Sequence, residues 1–239
     1  MTSRELFQRC DQLVRECPAG TCKLSSEYPI SGRGFFPVTS GSFHDGSPSA
    51  AIGRRKLIFV GQDWGCEGNL PPLGKDKDAD IKTGTGKILL DLLDEAEIRL
   101  EECFFTNALW GIRTGNTNTG ASPGWKDPAF VRSSAAALKV QIDVVRPRGL
   151  VCLGRDAPGL LKGLMAECDP WKTMRSFKAI DHAGLGVIDV NSFAGIDVAA
   201  ILLHPSFRRV NLKHRCYGGL VEHEAELKIL SDVWARVSV

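Results

Sequence analysis

Short runs of apolar residues alternate along this chain with longer segments whose apolar positions recur at helical spacing, and that alternation constrains the fold more than any other feature. Lys56 to Val60 is the first such run, and the next helical segment carries Ile88, Leu89, Leu92, Leu93 and Ala96 on one face. Cys103 to Thr106 follows, then a helix from Phe130 to Val145 that Asp127 caps, Pro128 opens and Pro147 stops. Leu150 to Leu153 is a third strand, and the helix after it begins at Asp156 and Pro158 and carries Leu160, Leu161 and Leu164. Val187 to Val190 and Val198 to Leu203 add two candidate strands, and a closing helix holds Leu220, Leu227, Leu230 and Trp234. Strands that alternate with helices predict an α/β fold with a mostly parallel sheet covered on both faces.

A length of 239 residues, 43% of them hydrophobic, suits one domain with a full core. We expect residues 1–53 to form an N-terminal helix and a Gly/Ser/Pro-rich loop, and residues 54–239 to form the core. The helix is expected to start at Thr2, where Thr2 and Glu5 make a capping box, to run until Pro18, and to turn Leu6, Leu13 and Val14 inward. The segment from Gly65 to Gly84 is longer than a βα connection needs, and we expect it to border the functional site.

Composition excludes little by itself. A net charge of +2 neither demands nor rules out a nucleic-acid partner. Apolar stretches such as Leu57 to Val60 fall far short of the roughly 20 residues that cross a bilayer, and the polar start (Thr2, Ser3, Arg4, Glu5) has no secretory apolar region, so a cytoplasmic protein is expected. The eight cysteines contain no C-x-x-C pair and read as reduced thiols. Cys10, Cys17 and Cys22 are spaced too loosely for a typical zinc site, so no metal is expected.

Ligands of open parallel sheets bind beyond the carboxyl ends of the strands, which makes the residues after each apolar run the first candidates. Gly61-Gln62-Asp63-Trp64-Gly65 follows the first run, Asn107 the second, Gly154 the third, and His204-Pro205-Ser206 the run ending at Leu203. An acid, an amide and an imidazole are thereby directed to one rim. Singly, each has a plain structural alternative: Asp63 as a turn cap, Asn107 as a partner for loop backbone, His204 as a turn residue before proline. Their joint occurrence carries the functional reading.

In this order and spacing the four strand ends resemble the uracil-DNA glycosylase superfamily. Gly61-Gln62-Asp63 is similar to its first motif, Thr106-Asn107 to its base-reading asparagine, Leu153-Gly154-Arg155 with Ala157 to its third strand and following helix, and His204-Pro205-Ser206 to its second catalytic motif. The likeness spans Lys56 to Asn211 and implies a three-layer αβα sandwich, a monomer needing no cofactor, and excision of uracil or another deaminated base from DNA. It further implies Asp63 and His204 as catalytic residues, and Gln62, Trp64 and Asn107 as residues binding the base. Asp63 would stabilise the sugar and orient or deprotonate water, while His204 would donate to uracil O2. The Asn107 amide would accept from N3–H and donate to O4, a pattern that cytosine reverses.

After the histidine, Ser206, Phe207, Arg208, Arg209, Leu212 and Lys213 combine apolar side chains with positive charge, as expected of a segment that wedges a duplex and contacts phosphates; a solvated charge run is the alternative. The chain also departs from the family pattern. Trp64 and Gly65 stand where many members have Pro and a thymine-excluding Tyr, and no aromatic residue occurs from Gly65 to Gly84, which leaves Trp64 or Trp110 to stack on the base. The cysteines lack the arrangement of the iron–sulfur branch, so no cluster is expected.

Three rivals remain. The first is a catalytically silent nucleic-acid-binding module of the same fold. The second, a phosphate loop at Gly84-Thr85-Gly86-Lys87, lacks its leading glycine because position 81 is Ile. The third, a thiol hydrolase on Cys66, has no recognisable nucleophile motif.

Overall fold

A computed structural model describes residues 1, 3–14, 20–22, 55–69, 84–117, 119–162, 164–193 and 195–238. In chain order the elements are α1 (Ser3–Leu13), β1 (Thr21–Cys22), β2 (Leu57–Gly61), α2 (Gly84–Glu95), β3 (Cys103–Asn107), β4 (Ile112–Arg113), α3 (Pro128–Val145) and β5 (Gly149–Leu153). They continue with α4 (Pro158–Leu161), α5 (Asp169–Thr173), α6 (Phe177–His182), β6 (Val187–Asp189), β7 (Val198–Leu202), α7 (Pro205–Asn211), β8 (Cys216–Tyr217), β9 (Leu220–Val221) and α8 (Glu222–Val237).

The central sheet has the order β3-β2-β5-β7-β6, parallel except for the edge strand β6. All residues of β2, β3, β5 and β7 are buried, as expected of parallel strands covered on both faces. Alternation along each strand divides the core in two. Ile58, Val60, Phe104, Leu150, Cys152, Ala199 and Ile201 face a cluster with residues of α1, α3, α4, α5 and α6. Leu57, Phe59, Phe105, Val151, Leu153 and Leu202 face the other, with α2 and α8. The result is a three-layer αβα sandwich. Phe59 and Phe105 stack across neighbouring strands at 5.2 Å between centroids, an arrangement worth about 0.5–1.5 kcal/mol beyond area burial.

The order of the strands also locates a crevice. From β2 the chain passes through α2 to β3 on one side, then returns through α3 to β5 on the other side of β2. Helix α2 covers one face of the sheet and α4, which follows β5, covers the opposite face, so the loops after β2 and β5 diverge at their carboxyl ends.

Helix α3 matches its sequence signals closely: Asp127 Oδ1 accepts from the N–H groups of Ala129 and Phe130, and Arg146 closes the helix in a left-handed conformation. Other expectations need correction. Helix α1 ends at Leu13, which is 40% exposed, because the buried stripe runs through Leu6, Cys10 and Val14 and leaves Leu13 at its outer edge. Helix α4 is a single turn; Lys162 leaves helical backbone geometry, so Leu164 lies outside it. Leu220 is not in the closing helix. Gly218 and Gly219, both at positive φ, turn the chain tightly between β8 and β9, and Leu220 is paired and 41% exposed before α8 starts at Glu222. The expected cap at Thr2, the thiol of Cys17 and the loop of residues 23–53 lie outside the described residues. Among the described residues no helix is long and apolar enough to cross a membrane.

Gly149 packs where no side chain fits. A Cβ there would approach the Leu57 side chain to 2.6 Å and Val237 to 3.1 Å. Gly149→Ala is expected to cost about 1–3 kcal/mol by overpacking, read as a lower denaturation midpoint; an unchanged midpoint would contradict the close approach of β5, β2 and α8.

Candidate functional site

Backbone pairing brings the first two motifs side by side. Gly61 is in register with Asn107 at the ends of β2 and β3, and the ladder continues into the loops. Ala108 N donates to Gly61 O (2.8 Å), Leu109 N to Gln62 O (2.9 Å) and Arg113 N to Gly65 O (2.7 Å). Cys66 bridges to Arg113, whose other backbone neighbour is Thr21 of β1. The segment after the first motif is therefore laced to the segment after the asparagine. Of the loop expected to border the site, residues 65–69 are described and are laced to residues 113–115, and residues 70–83 lie outside the described residues.

The Asp63 carboxylate is 6% exposed and paired with Arg113, which is equally buried; Arg113 Nε donates to Oδ2 at 2.6 Å. Oδ1 accepts from Gly65 N at 3.2 Å. The remaining guanidinium nitrogens donate to the carbonyls of Thr119 and Gly120, each at 3.0 Å. Removing one partner of such a buried pair strands the other, at a cost of about 3–5 kcal/mol.

Asn107 contrasts with this. Its side chain is buried in a residue only 1% exposed, and among the described residues neither its amide oxygen nor its amide nitrogen has a hydrogen-bond partner. Each buried orphan costs about 1–3 kcal/mol. A ligand edge that offers one donor and one acceptor would recover both.

His204 follows Leu203 at the carboxyl end of β7 and caps α7. Its Nδ1 accepts from Ser206 N at 3.3 Å and lies 2.6 Å from Ser206 Oγ. Because a backbone N–H can only donate, the neutral ring carries its proton on Nε2. Gly154 at the end of β5 makes room for it: φ is 87°, and a Cβ would sit 3.1 Å from His204 Cβ. Burial lowers the His204 pKa below its ordinary value; the carboxylates of Asp63 and Asp156 oppose that shift and the Arg113 guanidinium adds to it. The ring thus feels the charges at the ends of β2 and β5. Gln62 links the same two loops. With its amide oriented by its partners, it donates to Asp156 Oδ2 (3.2 Å) and accepts from Ser122 N (2.7 Å).

Gln62, Asp63, Asn107 and His204 all lie at the carboxyl edge of the sheet. Trp64 does not join them as a stacking surface: it is 3% exposed and sits edge-on to Trp110 at 5.2 Å within the core, where Trp110, itself 2% exposed, also contacts Phe7. Beyond His204, Phe207 is 47% exposed and Arg209 and Lys213 are exposed, whereas Leu212 is half-buried and Ser206 is engaged with the His204 ring. Arg208 turns inward, where Nε donates to Glu226 Oε2 at 2.9 Å, so its charge is balanced inside the protein rather than offered to phosphate.

Sequence reasoning missed Arg113 and reduced Asp156 to a helix start. A lone cation closing the run Ala108 to Ile112 was the available signal for the first. An acid two residues after the strand-end Gly154 was the signal for the second.

A folded pKa below the unfolded one means that the unfolded chain binds the proton more tightly. The neutral His204 ring therefore supports folding above the ordinary value of 6.5, and that support is lost as pH falls below it. By NMR titration His204 should titrate below 6.5, and Asp63→Asn should move it lower by removing a carboxylate that favours the imidazolium. A midpoint at or above 6.5, or an upward move, would contradict this electrostatic picture. In sequence comparison, neither a protein-family model nor a curated protein matches the chain.

Proposed function

We propose that the chain is a DNA glycosylase that hydrolyses the N-glycosidic bond of uracil or another deaminated base flipped out of DNA. The observation that carries the reading is the orphaned amide of Asn107, held in register with the Gly61-Gln62-Asp63 motif. A buried amide with both atoms unsatisfied suits a planar ligand edge such as N3–H and O4 of uracil. Cytosine offers the opposite pattern and would leave the polar atoms unpaired.

The other groups suit the charge that develops. As the bond breaks, its electron pair moves to the base and the sugar C1′ becomes electron-poor; a water oxygen then bonds to C1′, and the proton it gives up ends on the departing base anion, which leaves as the neutral base. The Asp63 carboxylate, held by Arg113 and Gly65 N–H, would act as a fixed negative charge beside the sugar. The His204 ring, kept neutral by burial with its proton on Nε2, would donate to the base oxygen that gains charge. Flipping costs a few kcal/mol, and the exposed Phe207, Arg209 and Lys213 are suitable for holding the gap and its phosphates. No cofactor or metal is required. Cys10, Cys66, Cys103, Cys152, Cys168 and Cys216 are free thiols, which fits a cytoplasmic protein, and we read it as a monomer.

The Asp63–Arg113 pair also favours a second reading, a silent binding module, because a carboxylate engaged at both oxygens already has a structural task. Incubation with oligonucleotides carrying uracil, hypoxanthine, xanthine or a T:G mismatch, followed by alkali, separates the two. The glycosylase reading expects abasic-site strand breaks, with Asp63→Asn and His204→Ala each slowing cleavage by about 10²–10³ in folded protein. Asn107→Ala should narrow the preference for uracil over cytosine. Tight binding with no breaks on any substrate would favour the silent module, and unchanged rates in the variants would refute the assigned roles.

A further inference from the structure

His204 stands between two segments, and one buried carboxylate from a distant part of the chain holds both. Glu226 of α8 is 0% exposed. Its Oε1 accepts from the backbone N–H of Leu203 at 2.7 Å, the residue immediately before His204. Its Oε2 accepts from Arg208 Nε at 2.9 Å, one turn into the helix that His204 caps. Nothing in the first motifs signals this residue.

We propose that Glu226 is the positioning residue of the site, clamping the end of β7 and the start of α7 so that the His204 ring is presented in one orientation and one tautomer; this rests on the glycosylase reading for its catalytic consequence. The clamp is itself braced. Arg215, 1% exposed, lies 3.9 Å from Glu226 Oε1 and 3.3 Å from Asp181 Oδ2, and its Nη2 donates to Ile201 O within β7. Arg208 also contacts His223 Nδ1, and His223 Nε2 reaches Glu95 of α2 at 2.6 Å. Helices α2 and α8, which cover one face of the sheet, are thereby tied to the turn that carries the imidazole. A hydrophobic residue at 226 would leave the Leu203 N–H without its acceptor, and the turn would be free to rotate.

Removal of Glu226 alone would strand Arg208, so the test uses the double variant Arg208→Met with Glu226→Leu, in which Asp181 still balances Arg215. Val233→Ala, in the buried core face of the same helix but away from the clamp, controls for lost stability. The ring nitrogens of His204 are observed by ¹⁵N NMR at pH 8, and cleavage is measured on a uracil oligonucleotide. In the double variant the His204 signal should change from the Nε2–H tautomer to a mixture, and kcat should fall about a hundredfold, the scale of an ångström of misplacement, with KM little changed. Val233→Ala should keep the wild-type signal. A folded double variant with the wild-type tautomer signal would overturn the proposal whatever the cleavage result. Wild-type protein that cleaves nothing would instead sink the glycosylase reading, with the clamp then decided by the NMR signal alone.

Discussion

Strand β2 pairs with β3 on one side and β5 on the other, and every other placement in the molecule follows from those two ladders. Both faces of the sheet are buried under different sets of helices, so a one-residue slip would exchange Leu57 and Phe59 with Ile58 and Val60 between two unlike cores. The register is therefore strongly specified, and with it the opposition of Gly61 to Asn107. Neighbouring strands lie about 4.8 Å apart, so side chains remote in sequence meet at the edge of the sheet without any loop having to carry them there. The loops only refine what the ladders begin.

Electrostatically the edge is economical. Asp63 and Arg113 balance one another with little exposure to water, and the carbonyls of Thr119 and Gly120 accept hydrogen bonds from the remaining guanidinium nitrogens. His204 stays neutral because its burial outweighs the pull of two carboxylates. Against that compensated background both polar atoms of the Asn107 amide lack a hydrogen-bond partner among the described residues, and on the glycosylase reading that is where the base would sit.

Much of this was legible in the sequence because it depends on local rules. Buried parallel strands read as continuous apolar runs, and helix α3 announced itself by Asp127, Pro128 and Pro147. Asp63, Asn107 and His204 were identifiable because strand ends in this architecture face one rim. What escaped was set by contacts distant in sequence. Arg113 earns its place from Asp63, 50 residues earlier, and Glu226 from Leu203 and Arg208, neither of which shares a period with it. Trp64 looked like a ring for stacking a base, yet it packs edge-on against Trp110 within the core. Helices α5 and α6 are only five and six residues long, too short for periodicity to show.

The embrace of Asp63 by Arg113 gives the edge of the sheet a double allegiance. The same carboxylate that would steady a cationic sugar also staples the stretch after β3 to the stretch after β2, through a cation that grips a third segment. Drift at position 63 would loosen the architecture and, on the glycosylase reading, the reactivity in a single stroke. A chain with no reaction to perform would be under the same pressure to keep the acid, so possession of that residue alone could never distinguish a working enzyme from a silent one.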